Sequence, residues 1–200
     1  MPALALMLFV AVLARRPSSR TLLSGAQFTE LAVNTHRQRA HGSLALDLRS
    51  DSQQTLNQWL KANSPFPLAL PASPARPGEE RPYRLEGARL IPVGSNTAAY
   101  IAYRMQSGPV GLMVTPTLVA VPSGGIQVDF KKVSFHYATI REYKVVTWSV
   151  HGLTYALVSQ EGKGTQHSCM VCHSAMGDRD LSETPAPLGA ERNPVEPMLQ

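Results

Sequence analysis

Charge is sparse in this chain. Asp, Glu, Lys and Arg supply 16% of its 200 residues, and no long run of Lys and Arg appears. The 19 basic and 14 acidic residues leave a formal charge of +5. The basic residues are scattered (Arg15, Arg16, Arg20, Arg37, Arg39, Arg49) and are not interleaved with aromatic residues. Nucleic-acid affinity comes from neutralising many adjacent phosphates, so this dispersal argues against nucleic acid as a partner. The excess charge fits solubility or attraction to anionic lipid headgroups. Catalytic signatures are missing too: the chain has no G-x-S-x-G, no H-E-x-x-H and no paired carboxylates. Ser123-Gly124-Gly125 opens no helix pattern and precedes no Lys-Ser/Thr, so it reads as a hairpin turn rather than a phosphate cradle. These absences lead to the expectation of a protein that is not an enzyme.

Long apolar runs are equally scarce. Ala3 to Ala14 (ALALMLFVAVLA) is twelve uncharged, mostly apolar residues closed by Arg15-Arg16-Pro17. A spanning helix wants about twenty such residues and the apolar part of a signal peptide about seven to fifteen. The reading adopted for residues 1–16 is a membrane anchor, whole or as the end of a longer transmembrane helix. A cleaved signal and a buried core helix are the alternatives. The double arginine after the run fits poorly with export of the remaining chain.

What is present begins with helix and strand patterns. A hydrophobic share of 44% suffices to bury a core. Thr21 to Ala40 carries Leu23, Phe28, Leu31 and Ala32 near helical spacing, with Gly42 as a stop, and reads as a juxtamembrane helix within residues 17–42. Leu44, Leu46 and Leu48 alternate as in a strand. Ser50-Asp51-Ser52-Gln53 caps a helix that carries Leu56, Trp59 and Leu60 on one face. The proline-rich stretch from Leu70 to Pro82 is a loop. Strand patterns come next at Tyr83–Leu85, Arg89–Val93, Ala98–Arg104, Val110–Thr115, Gln127–Lys131, Ser134–Tyr137, Tyr143–Ser149 and Leu153–Ser159. Trp59, Phe66 and Trp148 read as core, and His136 and His151 as structural histidines. The expected fold class is α+β: an antiparallel β meander with one or two packed helices, over residues 43–160, preceded by the membrane-associated helix. Residues 161–200 form a proline-rich tail.

That tail holds the one strong chemical signal. The chain has two cysteines, and they stand in Cys169-Met170-Val171-Cys172-His173. Three chemistries want this spacing. In covalent haem c attachment, Cys169 and Cys172 form thioethers and His173 is the proximal iron ligand. In a dithiol switch, the two thiols close a small ring whose reactivity neighbouring charge tunes. In a zinc site, His167 joins Cys169, Cys172 and His173, although four ligands so close in sequence rarely wrap one tetrahedral ion. Met176 lies one helical turn from His173, on the same side, so a distal haem ligand would come from His136, His151, His167 or Met198.

The succession LALDLRSDSQQTLNQWLKANSPFPLALP, YRLEGARLIPVGSNTAAYIAYRMQSGPVGLMV and YKVVTWSVHGLTYALVS, within residues 44–159, resembles the extracytoplasmic part of bacterial membrane-spanning anti-sigma-factor-like regulators. The resemblance implies a single-pass inner-membrane protein. Its outer α+β domain would sense or bind a protein partner in the envelope, and its inner zinc-containing domain would sequester a sigma factor. That inner domain would precede the membrane helix and carry His-x-x-x-Cys-x-x-Cys, which this sequence lacks, so sigma-factor binding is not assigned to this chain. The CMVCH run differs from it, with its histidine after the cysteines. A small c-type haem electron-transfer protein is the alternative reading of the whole.

The haem reading leads to a direct prediction. Protein made in a host competent for haem attachment should gain about one haem in mass and keep its pigment after denaturation. Cys169→Ala with Cys172→Ala should abolish the pigment. Colourless wild-type protein whose thiols alkylate only after reduction would point to the dithiol switch instead.

Overall fold

A computed structural model describes residues 23–70 and 83–160. The chain enters through helix α1, Gly25–Ala40. Its start is fixed by a reciprocal capping pair: the Gln27 backbone N–H donates to Ser24 Oγ at 3.2 Å, and the Ser24 N–H donates to Gln27 Oε1 at 2.9 Å. Two otherwise orphaned amides are thereby satisfied. A two-residue strand β1 (Leu48–Arg49) and a second helix, α2 (Gln53–Asn63), come next. The N-cap of α2 is Ser52, whose Oγ accepts from the Thr55 N–H. Seven further strands complete the described chain: β2 Tyr83–Val93, β3 Asn96–Met105, β4 Gly108–Pro116, β5 Ile126–Phe130, β6 Val133–Ile140, β7 Tyr143–Val150 and β8 Leu153–Gln160.

All eight of these strands lie in one antiparallel sheet, in the order β1-β2-β3-β4-β8-β7-β6-β5. The fold is therefore α+β, as the sequence implies, but it is not a single meander. The meander β2–β4, with the short β1 added at its outer edge, and the four-stranded meander β5–β8 meet where β4 pairs with β8, from Val110–Ser159 to Pro116–Leu153. The chain reaches β5 by crossing from the middle of the sheet to its far edge over residues 117–125. That crossing is pinned at its start. The Leu23 N–H donates to the Val119 carbonyl at 2.7 Å, and Thr154 Oγ1 donates to the Ala120 carbonyl at 2.7 Å. Ser123-Gly124-Gly125, expected as a hairpin turn, is instead the end of this crossing. Gly25 is required beside it, because a Cβ there would collide with the Ser123 side chain.

Other boundaries also differ from the sequence reading. Tyr83–Val93 is one continuous strand, not two strands around Glu86-Gly87. Its register slips between Leu85 and Gly87, so Glu86 is an extra, bulged residue. The Leu44–Leu48 alternation yields regular strand only at Leu48–Arg49. Helix α1, read from sequence as a juxtamembrane element, packs on the sheet through Phe28, Ala32 and Val33, each fully buried.

Side chains alternate across the strands, so the sheet has two faces. One face carries Ala98, Tyr100, Ala102, Met113, Tyr143, Val145, Ala156 and Val158, and α1 covers it. The opposite face carries Leu85, Ala88, Ile101, Leu112, Val114, Trp148 and Leu157. It is covered by Leu56 and Leu60 of α2 and by the segment holding Phe66, Leu68 and Leu70. Asn57 straps that segment down: its Oδ1 accepts from the Leu70 N–H at 2.6 Å, and its Nδ2 donates to the Leu70 carbonyl at 3.2 Å. Trp148 is 2% exposed and Phe66 is buried, as expected of core residues, while Trp59 is half-buried against the same cluster.

Candidate functional site

Two places in the described chain depart from an ordinary core or surface. The first is polar and buried. His36, on α1, is fully buried over the sheet, and its Nδ1 lies 2.9 Å from the Tyr100 hydroxyl of β3. Gly111 of β4 makes the room, since a Cβ there would overlap both His36 and Tyr100. The Tyr143 ring stands edge-on to the imidazole at 5.6 Å between centroids. One turn along the helix, Arg39 pairs with the bulged Glu86 at 3.1 Å, and Glu86 pairs in turn with Arg104 at 2.9 Å. The bulge thus gives α1 a carboxylate to hold.

Burial disfavours the charged imidazolium, and the nearby Arg39 guanidinium adds repulsion, so the His36 pKa falls to about 4. Burial also pushes the Tyr100 hydroxyl well above its ordinary range. Both groups are therefore neutral near pH 7. His36 Nε2 has no hydrogen-bond partner among the described residues. The arrangement clamps α1 to the sheet.

The second place is exposed and apolar. By register, Ile126, Val128 and Phe130 of β5 stand opposite Tyr137, Phe135 and Val133 of β6, on the face that also carries Trp148. Phe135, Trp148 and Tyr155 are neighbours across β6, β7 and β8. The Trp148–Tyr155 pair is stacked at 5.1 Å, and the Phe135–Trp148 pair is tilted at 5.9 Å. Towards β4 this stripe is under α2 and its following segment, but towards β5 it emerges. Ile126 is 73% exposed, Val128 47%, Phe130 39% and Tyr137 40%. On the other side of β5, Asp129 accepts from Ser134 Oγ at 2.6 Å and from Gln127 Nε2 at 3.0 Å. These bonds hold its carboxyl below the usual range. Single exposed apolar residues are ordinary, but a contiguous stripe continuous with the core departs from an ordinary surface.

Cys169, Cys172 and His173, with His167, Met176 and Met198, lie outside the described residues. Residues 1–16 lie outside them as well, and among the described residues no helix is long and apolar enough to cross a membrane. His136 is half-buried in β6, and His151 is exposed in the β7–β8 turn with φ 52°. Among the described residues no group of His, Cys, Asp or Glu is arranged to hold a metal ion. Sequence reasoning missed both places described here. The I-x-V-x-F alternation of β5 was legible as a strand, but not as an edge strand with its apolar side uncovered.

No protein-family model matches the chain, and no curated protein matches it. Among solved structures, a GTP-binding regulator from Thermotoga maritima aligns with 46% of this chain and 77% of its own length, at 19% identity and a TM-score of 0.34. A likeness of that degree carries no argument about fold or function.

The His36 clamp predicts acid sensitivity of a definite sign. The folded pKa of about 4 lies below the ordinary value of 6.5. Above pH 6.5 both states are neutral and the contribution is complete; between 6.5 and 4 the unfolded chain takes up the proton first, and stability is lost. The loss should reach about 3 kcal/mol, at about 1.36 kcal/mol per pH unit. Urea unfolding followed by tryptophan fluorescence at pH 7 and pH 4.5 measures it. His36→Gln should flatten this dependence; an unchanged slope would assign it to other groups.

Proposed function

We propose that this chain is a non-enzymatic binding domain of a membrane-tethered, anti-sigma-factor-like regulator in a bacterial envelope. The observation that carries the binding role is the uncovered apolar stripe of β5 and β6. An edge strand exposing Ile126, Val128 and Phe130 is costly in water unless a protein surface covers it at some stage of the chain's work. The resemblance over residues 44–159 supports the regulator reading, and the Ala3–Ala14 run supports an inner-membrane tether with the β domain outside. Binding would be read out through the domain as a body, since α1 is fixed to the sheet by His36, Arg39 and its apolar face.

The CMVCH run supports a second element on the same chain. Its residues would hold haem c through Cys169, Cys172 and His173, or form a dithiol switch; when bound, haem would supply electron transfer or sensing of redox state. The same run favours the alternative of a small c-type electron carrier, in which the β domain supports the haem.

Two measurements test the proposal. The unprocessed chain should fractionate with membranes, and deletion of residues 1–16 should release it. Solubilised in mild detergent, the wild type should migrate as an assembly heavier than one chain. Ile126→Lys with Phe130→Lys should dissociate that assembly while shifting unfolding by no more than about 0.5 kcal/mol, as exposed substitutions do. Unprocessed full-length chain in the soluble fraction would contradict the tether. A wild type that migrates as a single chain would contradict the binding role.

A further inference from the structure

We propose that β5 pairs with β5 of a second copy of this chain, antiparallel, about a two-fold axis at Val128. The pairing rests on reading the β5–β6 stripe as a contact surface, and it names the occupant.

The turns set which way each residue of the edge strand points its backbone. Lys131 and Lys132 join β5 to β6 with φ values of 45° and 68°, so both central residues are left-handed, as a two-residue type I′ hairpin requires. The residues flanking such a loop, Phe130 and Val133, are a hydrogen-bonded pair. Hydrogen-bonded and non-hydrogen-bonded pairs alternate in an antiparallel ladder. Phe130, Val128 and Ile126 therefore direct their backbone groups inward to β6, and Asp129 and Gln127 direct theirs to the outer edge, where no described strand pairs. The next hairpin agrees. Ile140 and Tyr143 flank the two-residue loop holding Arg141 at φ 55°, so even-numbered residues of β6 bond to β7 and odd-numbered ones to β5.

Only some self-pairings suit this edge. Residues with outward-facing groups must meet each other, so the axis must pass through a residue rather than between two. An axis at Asp129 would set two carboxylates face to face, which destabilises a cross-strand pair. An axis at Val128 sets Gln127 against the second copy's Asp129, and Asp129 against its Gln127, as two hydrogen-bonded pairs: an amide meets a carboxylate twice. On the other face Val128 meets its own copy, and Ile126 meets Phe130 twice, all as non-hydrogen-bonded pairs with their side chains close. The three most apolar residues of the strand then pack side by side on one face, each against an apolar neighbour of the second copy, and the apolar stripe runs on across the axis.

The flanking turns do not oppose this. Each Lys131-Lys132 turn falls beside the second copy's Gly124-Gly125, which presents no side chain. The two lysine turns stand about 20 Å apart, at about 3.4 Å per residue. That is roughly twice the screening length at physiological salt, so their repulsion is small. The opposite edge of the sheet is closed to such pairing in the usual way: β1 is two residues long. An isologous contact of this kind closes after two copies.

The interface is small, so the association is weak in solution. In mild detergent, the weight-average protein mass of the purified 200-residue chain should rise from one chain towards two between about 10 μM and 1 mM in sedimentation equilibrium. Asp129→Pro removes an N–H that bonds to nothing within the sheet, and it should leave the circular dichroism unchanged and abolish the rise. Val128→Cys, in a chain with Cys169 and Cys172 replaced by serine, should cross-link to itself under mild oxidation, and Gln127→Cys should not. A chain that stays single at about 1 mM would overturn the proposal; a heavier assembly in detergent extracts would then show that the surface binds another protein. A dimer that persists in Asp129→Pro and gives no Val128→Cys cross-link would also overturn it, since it would be built elsewhere.

Discussion

The pairing of β4 with β8 is the interaction on which the rest of this structure depends. Strands β2–β4 and β5–β8 are local meanders whose hairpins need only short turns. Neither half could bury two apolar faces alone. The β4–β8 ladder joins residues distant in sequence, from Val110 with Ser159 to Pro116 with Leu153. It sets how the two halves face each other, because a one-residue slip there would turn one half over relative to the other. With β4 in place, Leu157 would then point to α1 and Ala156 away from it. Thr154, directly opposite Thr115, fixes the crossing segment by its bond to Ala120. The same ladder therefore sets where β5 is delivered. Such a sheet carries high contact order, which makes its formation slower than that of either hairpin set.

The two faces are finished differently, and the proposed binding role rests on the difference. On one face α1 is held by an apolar stripe together with a desolvated histidine and a carboxylate bridging two arginines. The bridge works because the bulge adds Glu86 to β2 as an extra residue, with the β2–β3 register shifting by one between Leu85 and Gly87. On the other face, α2 and the strapped segment ending at Leu70 cover the β2–β4 half. The cover thins towards β5. The core is thus not sealed at one end, and the aromatic series from Tyr155 through Trp148 to Phe135 leads from the buried interior to the exposed edge.

Much of the fold was legible in the sequence, because period-two alternation, β-branched and aromatic residues, and two-residue turns are local signals. Gln106-Ser107 and His151-Gly152 are the turns between strands whose adjoining ends the pattern places within two residues. The Glu86-Gly87 pair misled, since a glycine within a strand marks a bulge as well as a turn. Ser24 and Gln27 carry a capping signature that spacing alone could have found. The strand order was not legible: nothing local distinguishes a β4–β5 hairpin from a crossing that sends β5 to the edge. For the same reason the exposed stripe was hidden, because Ile126, Val128 and Phe130 look like any half-buried strand until their neighbours are known. His36 gave no signal, as its burial depends on Tyr100 and Gly111, which are remote in sequence.

Direction is decisive at the β5 edge of this sheet: the backbone groups of Gln127 and Asp129 point outward, pair with no described strand, and in the proposed dimer bond to the second copy. Amide hydrogen exchange, read residue by residue along β5 at low and high protein concentration, tests this most directly. Ile126 and Val128 should exchange slowly throughout, with Gln127 and Asp129 fast in dilute solution and slow when concentrated. Equal protection along the strand, or no change at Gln127 and Asp129 with concentration, would contradict it.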